Sequence, residues 1–267
     1  MHFMGGHMII DFTLVNKFLI DNRFGEIENH WLFDNIEKGE HLFELPNESQ
    51  RNEVKRILEH IQNSLSDFKP LNEAIFTSIY PEWPRIINDM NVLLVVGCPD
   101  PNDAMVMEYG DTQYVIFDLI RLNNYVRLGY NIDSIIKQLL THEISHLCLH
   151  EKYPVPTSTN YLENQKYIVF DEAFAHILSF NKDVRGYDFT NIIEEHYAKS
   201  LSKLKSALNE TDYETQNELL IQANSGVYWE KFGSISGKLF LARNIEEIDS
   251  IYFKGIDNLV QLMSPIE

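Results

Sequence analysis

His142, Glu143 and His146 are the residues whose types and spacing speak most directly of chemistry. They spell His-Glu-x-x-His within the stretch His142-Glu143-Ile144-Ser145-His146. On an α-helix, residues four apart share a face about one turn apart, so both imidazoles can converge on one metal ion while Glu143 leans over the same site. Zinc accepts imidazole nitrogen readily, and a carboxylate beside it can take a proton from water that the metal has acidified. A chain of 267 residues with 10 His and 40 Asp plus Glu holds at most about 0.06 such patterns by chance.

The surrounding positions predict a buried helix. Ile136, Ile144 and Leu147 gather around Leu140 on one face, while His142 and His146 interleave with Ile135, Leu139 and Leu149 on a second; Glu143 lies between the two. Such a helix is apolar nearly all round, with Gly129 before it and Asn131 or Asp133 as its N-cap.

A catalytic zinc usually takes three protein ligands and keeps one position for water. The extended pattern HExxHxxGxxH would need Gly at 149 and His at 152, where this chain has Leu149 and Lys152. The other common solution is a glutamate from the following helix, and Phe170-Asp171-Glu172-Ala173-Phe174-Ala175-His176 supplies Glu172. It shares a face with Ile168, Ala175 and Ser179, small enough in part for close approach to the helix carrying the histidines. His150 continues the His142, His146 row, but a straight helix carries it about 12 Å beyond His142, too far for one ion to bind both. It reads instead as a support for a ligand, a cation at a helix C-terminus or a surface residue. Asp171 is placed to orient a ligating imidazole. His176, one turn after Glu172, could bond a ligand or a substrate oxyanion, or be an ordinary interfacial histidine.

HEISHLCLH followed by DEAFAH resembles the gluzincin branch of the zincin metallopeptidases, in which HExxH is completed by a downstream Glu. The spelling is especially similar to the ImmA/IrrE-like metallopeptidases and to uncharacterised bacterial zinc-dependent peptidases with an E-[AG]-x-A helix. The resemblance spans roughly residues 91–181; the first 90 residues carry no family signature, and the long helical tail departs from the ImmA/IrrE pattern. It implies an α+β, zincin-like fold, with a small mixed sheet packed on the HExxH helix and a predominantly helical remainder. It implies one catalytic Zn²⁺ held by His142, His146 and Glu172, with Glu143 as general base for hydrolysis of peptide bonds through a zinc-activated water. A donor from a later helix stabilises the oxyanion in such enzymes; Tyr228, His176 or another residue would serve, although Tyr228 reads more readily as a packed aromatic. The partner is then a peptide or protein substrate, lying extended along an edge strand. The alternative is a zinc- or peptide-binding regulatory module on the same scaffold with weak catalysis, although metal binding alone requires no Glu143.

These residues need elements to position them. Asn91 to Gly97 reads as a buried strand, and Met105–Glu108 with Gln113–Asp118 reads as a hairpin around Tyr109-Gly110-Asp111-Thr112. Either hairpin strand is a candidate edge. Residues 9–80 read as mostly helical, with the clearest helix from Asn47 to Phe68 on the stripe Val54, Leu58, Ile61. Residues 151–163 form a loop, and helices follow around 188–208, 212–224, 228–243 and 245–263. The organisation is therefore 1–7 as a vector-derived remnant before Met8, 8–90 as a mostly helical region, 91–181 as the catalytic core and 182–267 as a helical region, either separate from that core or continuous with its domain.

Hydrophobic residues make up 44% and aromatics 12% of the chain, which argues for a globular fold. A net charge of −18 repels phosphates and disfavours nucleic acid as a partner, while suiting a basic peptide. No apolar run reaches 18 residues, so no membrane span is expected. Cys98 and Cys148 read as small core residues. Two cysteines and no signal-peptide pattern point to the cytoplasm. The residues assign no oligomeric state.

Overall fold

The computed structural model describes residues 8–20, 24–35, 41–100 and 102–264. Residues 1–7, read above as a vector remnant, lie outside the described residues. In chain order the elements are β1 (Ile9–Asp11), α1 (Thr13–Ile20), α2 (Phe24–Glu28), α3 (Trp31–Asn35), α4 (Arg51–Ser66), α5 (Glu73–Ile79) and α6 (Trp83–Asn88). There follow β2 (Asn91–Val95), β3 (Ala104–Tyr109), β4 (Thr112–Asp118), α7 (Leu119–Arg127), α8 (Ile132–Lys152) and α9 (Tyr161–Leu178). The last are α10 (Thr190–Ala207), α11 (Tyr213–Asn224), α12 (Phe232–Arg243), α13 (Ile248–Lys254) and α14 (Ile256–Met263). The fold is α+β, mainly helical with one small mixed sheet. Among the described residues no helix is long and apolar enough to cross a membrane.

The chain forms two compact units, Met1–Lys69 with Trp83–Ile144 and Pro70–Glu82 with Ser145–Glu267. The first is organised on a four-stranded sheet of order β1-β2-β4-β3, with β2 parallel to β1 and β4, and β3 antiparallel to β4. Val92 to Val95 are buried, as a strand with neighbours on both sides requires. The hairpin forms with Tyr109 opposite Thr112, and Gly110 takes φ 63° at the first loop position, where a two-residue turn favours glycine. Of the two candidate edges, β3 is the edge and β4 lies inside the sheet. Among the described residues before 80, helices predominate, and the strand β1 pairs through Ile9, Ile10 and Asp11 with β2.

Asp118 closes β4 and caps α7. Its carboxylate accepts from the N–H groups of Ile120 and Arg121 at 2.8 and 3.0 Å and from Cys98 N–H at 2.7 Å. Arg121 in turn donates from Nε to the Cys98 carbonyl and pairs with Glu44. These bonds tie the C-terminal ends of β2 and β4 together. Further on, Ser134 N–H donates to Asn131 Oδ1 at 2.9 Å, so Asn131 is the cap that starts α8.

In the second unit α9 is the central helix. Asn160 caps its start by accepting from Glu163 N–H at 3.1 Å. Asn72 closes its end. Held at φ 51°, Asn72 donates to the Leu178 and Phe180 carbonyls and accepts from Val184 N–H. The α12 helix lies so close to α9 that a Cβ on Gly237 would stand 2.6 Å from Ala173 Cβ and 2.8 Å from the Val169 carbonyl. The small residues of α9 thus admit α12, and Phe232 to Leu239 on that helix are buried on every side. The tail departs from the expected helices at two points. Tyr228 lies on a short 3-10 turn ahead of α12, and Gly255, at φ 86°, separates α13 from α14. Cys98 and Cys148 are buried thiols, joined in no disulfide among the described residues.

Candidate metal centre

Residues Leu140 to Leu149 of α8 are buried apart from partly exposed His142. Glu143 is 5% and His146 8% exposed. A helix apolar on most faces must pack on most faces, so a carboxylate and an imidazole are carried inside by their neighbours. His142 and His146 are one turn apart on this unbroken helix. His142, His146 and Glu172 each offer a ligand atom, and these atoms lie within 4.8 Å of one another. Donors bound about 2 Å from a common ion fall within roughly 4 Å of each other. Two imidazole nitrogens and a carboxylate oxygen make a donor set suited to zinc, so the residues present fit that ion.

Asp171 stands directly before Glu172 and meets His146 and His150. His146 Nδ1–H donates to Asp171 Oδ1 at 2.8 Å, and His150 Nε2 lies 3.5 Å from Asp171 Oδ2. Burial by itself raises the Asp171 pKa, but the two histidines outweigh it and hold the carboxyl below its usual range. An ionised Asp171 only accepts, which fixes the His146 tautomer with the proton on Nδ1 and the lone pair on Nε2. That nitrogen is the one left for a metal. His146, His150 and Asp171 form a second group with suitable spacing. Loading it would displace the 2.8 Å bond, whereas the group with His142 and Glu172 keeps that bond and uses it.

Glu172 is enclosed by polar groups. His176 Nε2 lies 3.2 Å from Glu172 Oε2, while Asn224 Nδ2 and Ser234 Oγ are at longer distances of 3.4 and 3.5 Å. Burial draws the His176 pKa down, with Glu172 opposing. The Tyr228 ring meets His176 edge-on at 5.5 Å. Its hydroxyl accepts from Lys238 Nζ at 2.7 Å. Burial pushes the Tyr228 pKa up to about 12, with Glu172 adding to the rise. Next in the chain, Trp229 stacks face to face on His196 at 3.9 Å with 7° between the planes, and meets Tyr228 edge-on at 4.8 Å.

Each residue singled out in the sequence therefore has a place: His142, His146 and Glu172 converge, Asp171 and His150 stand behind His146, and His176 and Tyr228 adjoin Glu172. Three neighbours went unnoticed. Asn224 and Ser234 stand 52 and 62 residues from Glu172 in sequence, and no spacing rule joins them. Lys238 carries a faint signal, as a lysine set among Ile235, Leu239 and Leu241 on an otherwise apolar helix. No protein-family model, curated protein or solved structure matches this chain.

Proposed function

We propose that this chain is a zinc-dependent metallopeptidase of the gluzincin kind. The observation that carries the reading is the approach of His142, His146 and Glu172 to within 4.8 Å, beside a buried Glu143 on the same helix. Held by these three residues, zinc would supply Lewis acidity toward water and the scissile carbonyl. Glu143 accepts the proton of the attacking water and returns it to the leaving amine. Asp171 holds His146 in the ligating tautomer. Tyr228 and His176 are the donors available to the oxyanion. The antiparallel edge strand β3 offers one unpaired side for main-chain pairing with an extended peptide. A module that only holds metal has no use for a carboxylate at position 143, which favours the enzyme.

The test is metal analysis followed by cleavage of a peptide library. One zinc per chain and loss of turnover by about 10³-fold or more in Glu143→Gln, with zinc retained, are the expected results. A well-folded chain without stoichiometric zinc, or normal cleavage by Glu143→Gln, would overturn the reading.

A further inference from the structure

Among the described residues, Lys238 is a buried cation without an anion. It is 5% exposed, and among the described residues no carboxylate lies within ion-pair distance of it. Its surroundings are the Phe180 and Tyr228 rings, with Nζ 5.0 and 5.4 Å from their centroids, and the Tyr228 hydroxyl at 2.7 Å. An ammonium has no lone pair, so the direction of this bond is settled: Lys238 donates and Tyr228 accepts. The phenolic proton then points elsewhere, and Tyr228 makes no other hydrogen bond among the described residues. Tyr228 is 37% exposed, and its ring adjoins His176, itself 3.2 Å from Glu172. Burial lowers the Lys238 pKa to about 8, so the ammonium remains the main form at neutral pH. Enclosing such a charge is costly unless an anion answers it.

We propose that Lys238 is a positioning residue that holds and polarises Tyr228, so that the phenol donates its proton to a negatively charged oxygen of a bound peptide. The substrate then supplies the anion that Lys238 lacks among the described residues. This inference rests on the peptidase reading. The negative oxygen has two possible sources with the same chemistry, the oxyanion developing at the scissile carbonyl or the terminal carboxylate of the peptide.

The experiment compares wild type, Lys238→Met, Lys238→Arg, Tyr228→Phe and the Lys238→Met/Tyr228→Phe double variant, all zinc-loaded. Zinc stoichiometry, Tm, kcat and KM are measured, and the affinity for a phosphinic peptide, a tetrahedral anion, is read by calorimetry. Lys238→Met should keep its zinc and a Tm close to or above that of wild type, since relief of the buried charge offsets the lost bond to Tyr228. Its kcat or its phosphinic-peptide affinity should fall about 10–100-fold. Tyr228→Phe should fall equally and the double variant no further, because the two act as one device. Lys238→Arg should recover part of the loss. Peptides with free acid and amide ends separate the sources: an equal fall in kcat for both marks the oxyanion, and a rise in KM confined to the acid marks the carboxylate. Values for Lys238→Met within about two-fold of wild type, additive losses, or activity falling in step with Tm would overturn the proposal. A wild-type chain that neither binds zinc nor cleaves peptides would instead defeat the peptidase reading, which the Glu143→Gln comparison registers separately.

Discussion

Two enclosed carboxylates show how surroundings decide what one chemical group does. Asp171 faces two histidines and is held ionised, so on the peptidase reading its work is to aim His146. Asp171→Asn keeps the shape and loses the charge, and should weaken zinc binding roughly 10-fold or more in a competition with a chelator; unchanged affinity would remove Asp171 from the metal centre. Asp118 is fully buried. Burial lifts its pKa from 3.8 to about 6, against three N–H groups and Arg121 that favour the charged form. Between those two values the folded chain keeps a proton that the unfolded chain has released. The contribution of Asp118 to stability therefore falls as pH rises from about 4 to 6, by up to about 3 kcal/mol. Asp118→Asn cannot titrate, so the stability of wild type minus that of the variant, from urea denaturation, should decrease over this window. A flat difference would mean that Asp118 is not raised.

Among the elements, the contact of α12 with α9 places several groups at once. It brings Ser234 to Glu172 and carries Lys238 to Tyr228. Gly237→Ala tests how tightly the contact is made. Alanine favours a helix by about 1 kcal/mol over glycine, but here its methyl would meet Ala173 Cβ and a backbone carbonyl below 3 Å. The clash should win, for a net destabilisation of about 1–3 kcal/mol by chemical denaturation, with zinc affinity falling as α9 shifts. Gly25→Ala is the control, since a Cβ there meets nothing within 4 Å and should be neutral or mildly stabilising. Legibility in the sequence followed local pattern at this scale. The strand β2 and the helix α8 stood out because an apolar run and a two-faced helical period are properties of one segment. The strand β1 did not, because three residues are too few to show alternation and Ile9–Asp11 becomes a strand only against Asn91–Leu93. Lys238 was hidden for a related reason. A lysine in a helix normally marks the solvated face, and only the neighbours of α12 reveal that this helix has none.

Across the whole molecule the dominant quantity is its charge of −18, which acts beyond any single contact. On the peptidase reading, kcat/KM for a lysine- or arginine-rich peptide should fall several-fold between low and high ionic strength as attraction is screened, while a neutral peptide of equal length changes little. Equal salt dependence for both would show that the acidic surface serves solubility alone. Zinc should act on the whole molecule as well: ligand binding to the folded state alone raises Tm, so chelation should lower Tm in wild type and leave His146→Ala unaffected. The chain-wide charge was legible from composition. The convergence of residues 142, 146 and 172 was foreshadowed by motif spacing, whereas Asn224, Ser234 and Lys238 depended on helices folding back from far along the chain.

The flat stack of Trp229 on His196 has an optical consequence. An indole lying against an imidazole is quenched by it, and any shift between the rings alters the emitted light. Trp31 and Trp83 are the other two indoles, so replacing both with Phe leaves Trp229 as the lone indole, beside Tyr228. Engagement of that phenol by a ligand would then register as a change in emission intensity, with no label attached.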